Sequence, residues 1–543
     1  MGARSNGKLD LLLLHVPKFN NFYDPIGHFM LGNLLPMGIF SLADEADRFG
    51  FQTRIYNLGL EFLFSKRFRI ASVVRSTEPA LVGLDLHWHY QTHDVFSVIS
   101  KIKESRLGVP VVLGGYTATM YAEEILQERR EVDFIIRGEG EKPLVRLLKA
   151  LRAGDSLADV PNLSFRRNGK IHHNAIGFSA TTEDLDSYDF ARFDLLEHAR
   201  LYFQQIRHIV WLRSFPKRLN FPFFTPGRMG GYIVPIARGC PVDCANCGGG
   251  RTPSKQFGMR NGVSMRSVEA VVRELKKIHE FGIQDLYFAF DPFPDSNYYP
   301  QLFRAIRENN LSFRGIFETF KLPTRALVQE FKKTFGHGNG SGNVILVSPE
   351  TGDENLRQKN RGYFYTNVQL FETLDMLEKE GIPFQVSYTL GLPGESADTL
   401  AATRNLWKKI KRRYLRLVTQ TATIIDADPF SPMEKAPSRY GITCKPRTLS
   451  QIDALHRDSH KGSYTGWVHL PIHHECTTLP INSRKSSALH ATEVYLRGHK
   501  CRHFCHYFGR LPVPYPLNRL ICKTAGSIFR AHSELFKLNR IRL

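Results

Sequence analysis

Cys240-Pro-Val-Asp-Cys244-Ala-Asn-Cys247 sets three thiols at C-x3-C-x2-C spacing, just after a predicted strand. Three thiolates on one short loop can hold three irons of a four-iron cluster and leave the fourth iron without a protein ligand. An open metal position is where a substrate or cofactor coordinates. A structural zinc site takes four ligands, usually as paired C-x2-C units, and no matching second pair follows nearby. A zinc site and unliganded thiols are the alternatives that the spacing alone leaves open. The chain has eight cysteines, the first at Cys240, too few and too uneven for a disulfide scaffold. The apolar run Leu11–Leu14 is too short for a signal-peptide core or a membrane span. A cytoplasmic protein with reduced thiols is the expectation.

Elements must position those thiols, and 543 residues allow more than one domain. Over residues 1–153, short apolar runs predict strands at Leu9–His15, Thr53–Leu58, Leu81–Leu86, Pro110–Leu113 and Phe134–Arg137. Helical spacing falls between them at Met37–Phe49, Thr92–Glu104 and Tyr121–Glu128, and Lys142–Leu151 follows the last strand. That alternation predicts a doubly wound, Rossmann- or flavodoxin-like α/β domain, whose ligands bind at the carboxyl ends of the strands. Residues 154–231 read as a linker with a hairpin at Asn168-Gly169. Over 232–440, strands at Ile233–Ala237, Asp285–Phe290, Phe313–Thr319, Val344–Val347, Phe384–Leu390 and Val418–Ile425 alternate with helices. Such units predict a partial, TIM-like (β/α)6 barrel with chemistry on the loops after the strands. Residues 441–543 form a basic extension, expected to be mainly helical.

With the cysteine loop after its first strand, the barrel resembles the radical S-adenosylmethionine (SAM) superfamily. The resemblance implies a [4Fe-4S] cluster on Cys240, Cys244 and Cys247, with SAM chelating the fourth iron and cleaved to a 5′-deoxyadenosyl radical. Weaker landmarks are Ser348-Pro349-Glu350-Thr351-Gly352 and Gly391-Leu392-Pro393-Gly394-Glu395. They imply Glu350 as a polar SAM contact and Gly391 and Pro393 in the turn shaping the adenine pocket. Two departures stand out. Asn246 replaces the usual aromatic residue before the third cysteine, and Phe290-Asp291-Pro292 replaces the usual glycine-glycine-glutamate, leaving Asp291 as the substitute for binding the SAM amino group.

The first domain resembles the cobalamin-binding domain fused to one radical SAM class, through Leu35-Pro36-Met37-Gly38, Leu113-Gly114-Gly115-Tyr116-Thr117-Ala118-Thr119 and Arg137-Gly138-Glu139-Gly140-Glu141-Lys142. The implied corrinoid contacts are Gly114, Gly115, Thr117, Thr119, Gly138 and Glu139. Glycines let backbone approach a large ring, and threonine hydroxyls can bond its amides. Asp85-Leu86-His87-Trp88-His89-Tyr90 lacks the glycine of the Asp-x-His-x-x-Gly cobalt-ligand motif and follows the third strand, so cobalt is expected without a histidine from that motif. His87 and His89 read as ordinary loop histidines.

Both resemblances together imply a cobalamin-dependent radical SAM enzyme that methylates an unreactive carbon, or less often phosphorus, of a small-molecule, lipid or peptide substrate. An electron donor such as flavodoxin or ferredoxin would serve it. Radical cyclisation or rearrangement with the same cofactors is the alternative within that class. Transfer-RNA methylthiotransferases are excluded by the absence of cysteines before Cys240. The formal net charge of +21 suits an anionic partner and supports a third alternative, a zinc-stabilised nucleic-acid-binding protein. Residues 441–543 hold sixteen Lys/Arg against five Asp/Glu, so about half of that charge belongs to the extension and nucleic acid is disfavoured. Leu517, Leu520, Ile521, Ile528, Phe529, Leu535 and Phe536 recur near helical spacing among basic residues. They read as a docked amphipathic helix, with contact to a membrane surface as the sharper alternative. Cys501 and Cys505, at i, i+4, are expected on a basic helical surface without metal.

Overall fold

The computed structural model describes residues 8–17, 35–65, 67–205, 229–289, 297–336, 343–425, 427–444, 448–462 and 474–476. Two α/β sheets organise them. The first sheet contains β1 (Leu11–His15), β2 (Thr53–Asn57), β3 (Leu81–Asp85), β4 (Val111–Gly114), β5 (Phe134–Ile136), β6 (Leu163–Arg167) and β7 (Lys170–His173), in the order β2-β1-β3-β4-β5-β6-β7. The strands from β1 to β5 are parallel.

Such a sheet is covered on both faces, which is why β1 is a continuous apolar run. Leu11 and Leu13 join the core under the Gly38–Arg48 and Glu141–Ala153 helices. Leu12 and Leu14 join the opposite core, under Ile70–Thr77 and Thr92–Lys103. The crossover helices therefore change face between β1 and β3. That is the topological switch point, where the carboxyl ends splay and leave a crevice.

The five strands expected here are present, with ends shifted by one or two residues. The expected hairpin also forms, with Asn168 and Gly169 at positive φ as its tight turn requires. It lies within the first sheet rather than in a separate linker. β6 pairs antiparallel with β5 and β7 with β6, covering an edge strand of only three residues that would otherwise expose unpaired backbone.

The second sheet contains β8 (Met229–Ile233), β11 (Ile283–Phe288), β12 (Arg314–Thr319), β13 (Val344–Glu350), β14 (Phe384–Leu390) and β15 (Leu417–Ile424), in the order β15-β14-β13-β12-β11-β8. All of its neighbours are parallel. Among the described residues β8 and β15 do not pair, so the barrel is partial. The first strand ends earlier than expected, at Ile233, with one further bond from the Val234 amide to the Tyr287 carbonyl. Ala237–Arg238 instead forms a short β9, antiparallel to β10 (Ser264–Met265). Edge-to-face aromatic contacts among Phe288, Tyr299, Phe303, Phe317 and Phe335 fill the layer between strands and helices.

Beyond the barrel, the Leu449–Gly462 helix returns to the first domain. Leu449 and Ile452 are buried against its core, and Asp453 pairs with His93 and Arg129. Among the described residues no helix is long and apolar enough to cross a membrane. Cys501, Cys505, Cys522 and the apolar positions from Leu517 to Phe536 lie outside the described residues.

One buried pair fixes the approach to the cysteine loop. Arg266 and Glu274 are 3% and 4% exposed. Glu274 accepts from Arg266 at 2.9 Å and from the Tyr232 hydroxyl at 2.8 Å, while Arg266 also donates to the Pro235 carbonyl. Glu274→Ala strands a buried guanidinium, so stability falls by about 3–5 kcal/mol. A lower urea midpoint for the anaerobically purified protein is the measurement, with Glu274→Gln losing less.

Candidate functional site

The three cysteines lie half-buried on the loop after β9. Backbone bonds from distant segments hold that loop. The Ala245 N–H donates to the Asn360 carbonyl at 2.9 Å, and the Met433 N–H to the Ala245 carbonyl at 2.8 Å. The Asp243 carboxylate accepts from the amide and hydroxyl of Thr252, and the Asp428 carboxylate accepts from the Gly248 amide. Gly362 donates its N–H to Cys244 Sγ at 3.3 Å. Here a side chain is excluded, because a Cβ on Gly362 would lie 2.5 Å from the Val242 side chain.

Burial pushes the Cys247 thiol up to about 12, with Asp428 adding to it and Cys244 and Cys240 acting in the same direction. Burial also raises Cys240, again with Cys244 contributing. The thiols are therefore electrostatic neighbours whose joint ionisation needs added positive charge. Among the described residues no three His, Cys, Asp or Glu side chains group around a single metal ion. A cluster asks for thiolates distributed over its irons, and this loop carries three free thiols.

Above the loop, the carboxyl ends of the barrel strands carry a row of polar groups. Glu350 ends β13 at φ +65°, a conformation that costs a non-glycine residue free energy and collects at functional sites. Its carboxylate pairs with Arg361 at 2.9 Å and accepts from the Thr389 hydroxyl on β14. Burial opposes the charge on Arg361, but Glu350 and then Cys244 hold its pKa above the ordinary value. On β11 and β12 the Tyr287 hydroxyl donates to Glu318, whose carboxyl is raised by burial and further by Glu350.

The Gly391–Glu395 turn closes on itself through the Gly391 amide and the Glu395 carboxylate, 2.8 Å apart. Asn360 ties this turn to the cysteine loop, because its amide donates to the Pro393 carbonyl at 3.0 Å. Its Oδ1 is buried and has no partner, an acceptor available to a bound ligand. Asn360 and Arg361, at the end of the Glu354–Asn360 helix, carry no sequence motif and are not among the residues that the sequence singles out. Asp291 lies outside the described residues.

In the first domain, Gly115 sits at φ +106°, and a Cβ there would lie 2.9 Å from the His87 Cα and the Leu86 carbonyl oxygen. Gly114 ends β4 beside it. The hydroxyls of Thr117 and Thr119, the expected ligand contacts, both bond within the protein. Both are buried, at 3% and 4% exposure. Thr117 donates to the His87 carbonyl. Thr119 donates to the Gly115 carbonyl and accepts from the Gly138 amide at 2.9 Å. Their hydroxyls lock the loops after β3, β4 and β5 together. At the switch point, the His15 and Asp85 side chains meet at 3.0 Å. His87 packs edge-on against Trp88 and Tyr116.

Glu139 is likewise taken up by protein. Its carboxylate bonds Arg238 at 2.9 Å, the Ala180 amide at 2.9 Å and Arg260 at 2.7 Å. Arg238 also pairs with the buried Glu141 and donates to Ser41. Burial works against the Glu141 charge, but Arg238 outweighs it and keeps the carboxyl below its ordinary range. This network joins the two domains. Beside it, Gly138 packs on Met259, and the Tyr116 hydroxyl approaches Gly249 of the cysteine loop. Phe430 closes the same seam between Tyr121 and Phe257.

A doubly wound ligand-binding domain clamped to a partial barrel, with its post-strand loops against a three-cysteine loop, defines a two-domain cofactor-dependent enzyme. Residues 26–148 match the B12 binding domain model, and residues 234–406 match that of the Radical SAM superfamily. The chain therefore carries a B12-binding domain ahead of a radical SAM domain and is a radical SAM enzyme. It is 25% identical over 357 residues to an uncharacterized methyltransferase of Pyrococcus horikoshii, covering 65% of this chain and 69% of that protein. It is 26% identical over 350 residues to the anaerobic magnesium-protoporphyrin IX monomethyl ester cyclase of Cereibacter sphaeroides, covering 62% of this chain and 51% of the cyclase. In fold it is similar to the radical SAM methyltransferase TsrM of Kitasatospora setae, solved with cobalamin and a [4Fe-4S] cluster bound, with TM-score 0.56, 16% identity, and 80% and 77% of the two chains covered. With the cysteines inside the radical SAM domain, the zinc-stabilised nucleic-acid-binding alternative is set aside.

Removing the central cation of the interdomain network tests the clamp. Arg238→Met leaves Glu141 buried without its partner. Amide hydrogen exchange in residues 137–141 and 256–264 then accelerates by roughly 100-fold, the equivalent of about 3 kcal/mol.

Proposed function

We propose that this enzyme transfers a methyl group to an unreactive carbon of a small-molecule, lipid or peptide substrate. It would use a [4Fe-4S] cluster on Cys240, Cys244 and Cys247, SAM above that cluster, and cobalamin on the carboxyl ends of β1 to β5. The observation that carries this reading is the approach of Tyr116, at the start of the short helix after β4, to Gly249 beside Cys247. It brings the expected ligand-binding edge of one domain beside the cysteine loop of the other. When bound, these groups supply one-electron cleavage of SAM and a methyl-carrying cobalt.

The chain's own contribution is positioning and exclusion of water. Glu350 and Arg361 offer opposite charges for the polar groups of SAM. Asn360 Oδ1 offers a buried acceptor, and the Gly391–Pro393 turn offers backbone. Asp291 is proposed for the SAM amino group. Gly114, Gly115 and Gly138 leave backbone accessible to a large ring. A one-electron donor of the flavodoxin or ferredoxin class is needed to reduce the cluster. The similarity to the cyclase favours a second reading, radical cyclisation with the same cofactors.

Anaerobic reconstitution is expected to give about four irons per chain, lost in the Cys240→Ala, Cys244→Ala and Cys247→Ala triple variant. Turnover with SAM separates the two reactions. S-adenosylhomocysteine together with 5′-deoxyadenosine marks methylation, and 5′-deoxyadenosine alone marks cyclisation or rearrangement. A reconstituted protein that holds no cluster overturns both.

A further inference from the structure

We propose that His15 supplies an axial nitrogen ligand, through Nε2, to the cobalt of a corrinoid held at the switch point of the first sheet. This rests on the reading that the first domain binds a corrinoid, and it names the residue of this chain that would face the metal. His15 ends β1, and Asp85 ends the neighbouring β3, the pair of strands between which a doubly wound sheet opens its crevice.

The ring is oriented before any ligand arrives. Nδ1 lies 3.0 Å from both Asp85 carboxylate oxygens. That carboxylate is itself held by the Val16 amide at 3.3 Å and the Gln91 side chain at 3.4 Å. A carboxylate only accepts, so the proton belongs on Nδ1 and the lone pair on Nε2. His15 is 2% exposed, and its Nε2 is buried without a hydrogen-bond partner. Buried polar atoms in native proteins are nearly always satisfied, so an oriented, unpartnered imidazole nitrogen calls for an occupant.

A hydrogen-bond donor or a metal ion could fill that role, and the Asp85 partner favours the metal. A ligating histidine characteristically gives its other N–H to a carboxylate, which fixes the tautomer and raises the basicity of the ligating nitrogen. The pair is assembled from two strand ends seventy residues apart, so no local motif announces it. That is how a histidine ligand can be present although Asp85–Tyr90 lacks the usual motif.

The test uses the full chain, anaerobically loaded with cobinamide, a corrinoid without a lower base, and reduced to Co(II). Electron paramagnetic resonance of the loaded protein should show each resolved cobalt line split into a triplet by one axial 14N, and into a doublet when the protein carries 15N-histidine. His15→Gln keeps a donor toward Asp85 and removes the ring nitrogen. It should bind cobinamide and iron in unchanged amounts and lose the nitrogen splitting. Stoichiometric cobinamide without nitrogen splitting, or splitting that persists in His15→Gln, overturns the assignment while leaving corrinoid binding intact. Failure of the wild-type chain to bind any corrinoid overturns the underlying reading and this one with it.

Discussion

The relative placement of the two domains depends on the ion-pair network centred on Arg238. Its cation stands two residues before Cys240, and its anions are Glu139 on the loop after β5 and Glu141 at the start of the helix that follows. One contact therefore connects the cysteine loop to the ligand-binding edge of the other sheet. Burying these charges is expensive, and an isolated buried pair does little better than break even. The network is worth keeping because its remaining bonding capacity is filled: Ser41 bridges Glu141 and Arg238, and the Ala180 amide and Arg260 complete Glu139. What it contributes is chiefly position.

A similar economy operates inside the barrel. Asn360 receives the cysteine loop with its backbone carbonyl and the Gly391–Glu395 turn with its side chain, so a single helix end sets their spacing. Arg361 follows immediately and reaches Glu350, whose strained backbone is tolerated because Thr389 and Arg361 both hold its carboxylate. The groups offered to a ligand are thus presented by residues whose own conformations are over-determined, which is the requirement for a site that must not relax when charge moves within it.

The sequence made some of this legible and hid the rest for physical reasons. Cys240, Cys244 and Cys247 announce themselves because their spacing is local in the chain. The strands do so because burial on both faces of a parallel sheet writes continuous apolar runs such as Leu11–Leu14. The apolar run Ile233–Ala237 concealed the change of partner by which Ala237 leaves the barrel sheet and pairs with Met265. Arg238 with Glu139, Arg361 with Glu350 and His15 with Asp85 are invisible to periodicity, because each pair joins segments far apart. Glu139, Thr117 and Thr119 illustrate a subtler difficulty. The carboxyl end of a sheet is where ligands bind, but here it is also the domain interface, so polar residues at strand ends divide between the two tasks.

That shared use bears on how such an enzyme could work. A domain that carries its cofactor between a donor and an acceptor needs a weak, wet contact that opens at little cost. This seam is of the opposite kind. The apolar core runs without interruption from Leu11 and Phe40 in the first domain through Phe193 and Tyr232 to Phe288 and Phe384 in the barrel, and the Arg238 network is buried beside it. Opening the seam would expose that core and strand several charges together. The fold is therefore built to hold its two ligand-binding edges at a fixed separation, with Tyr116 standing where they meet.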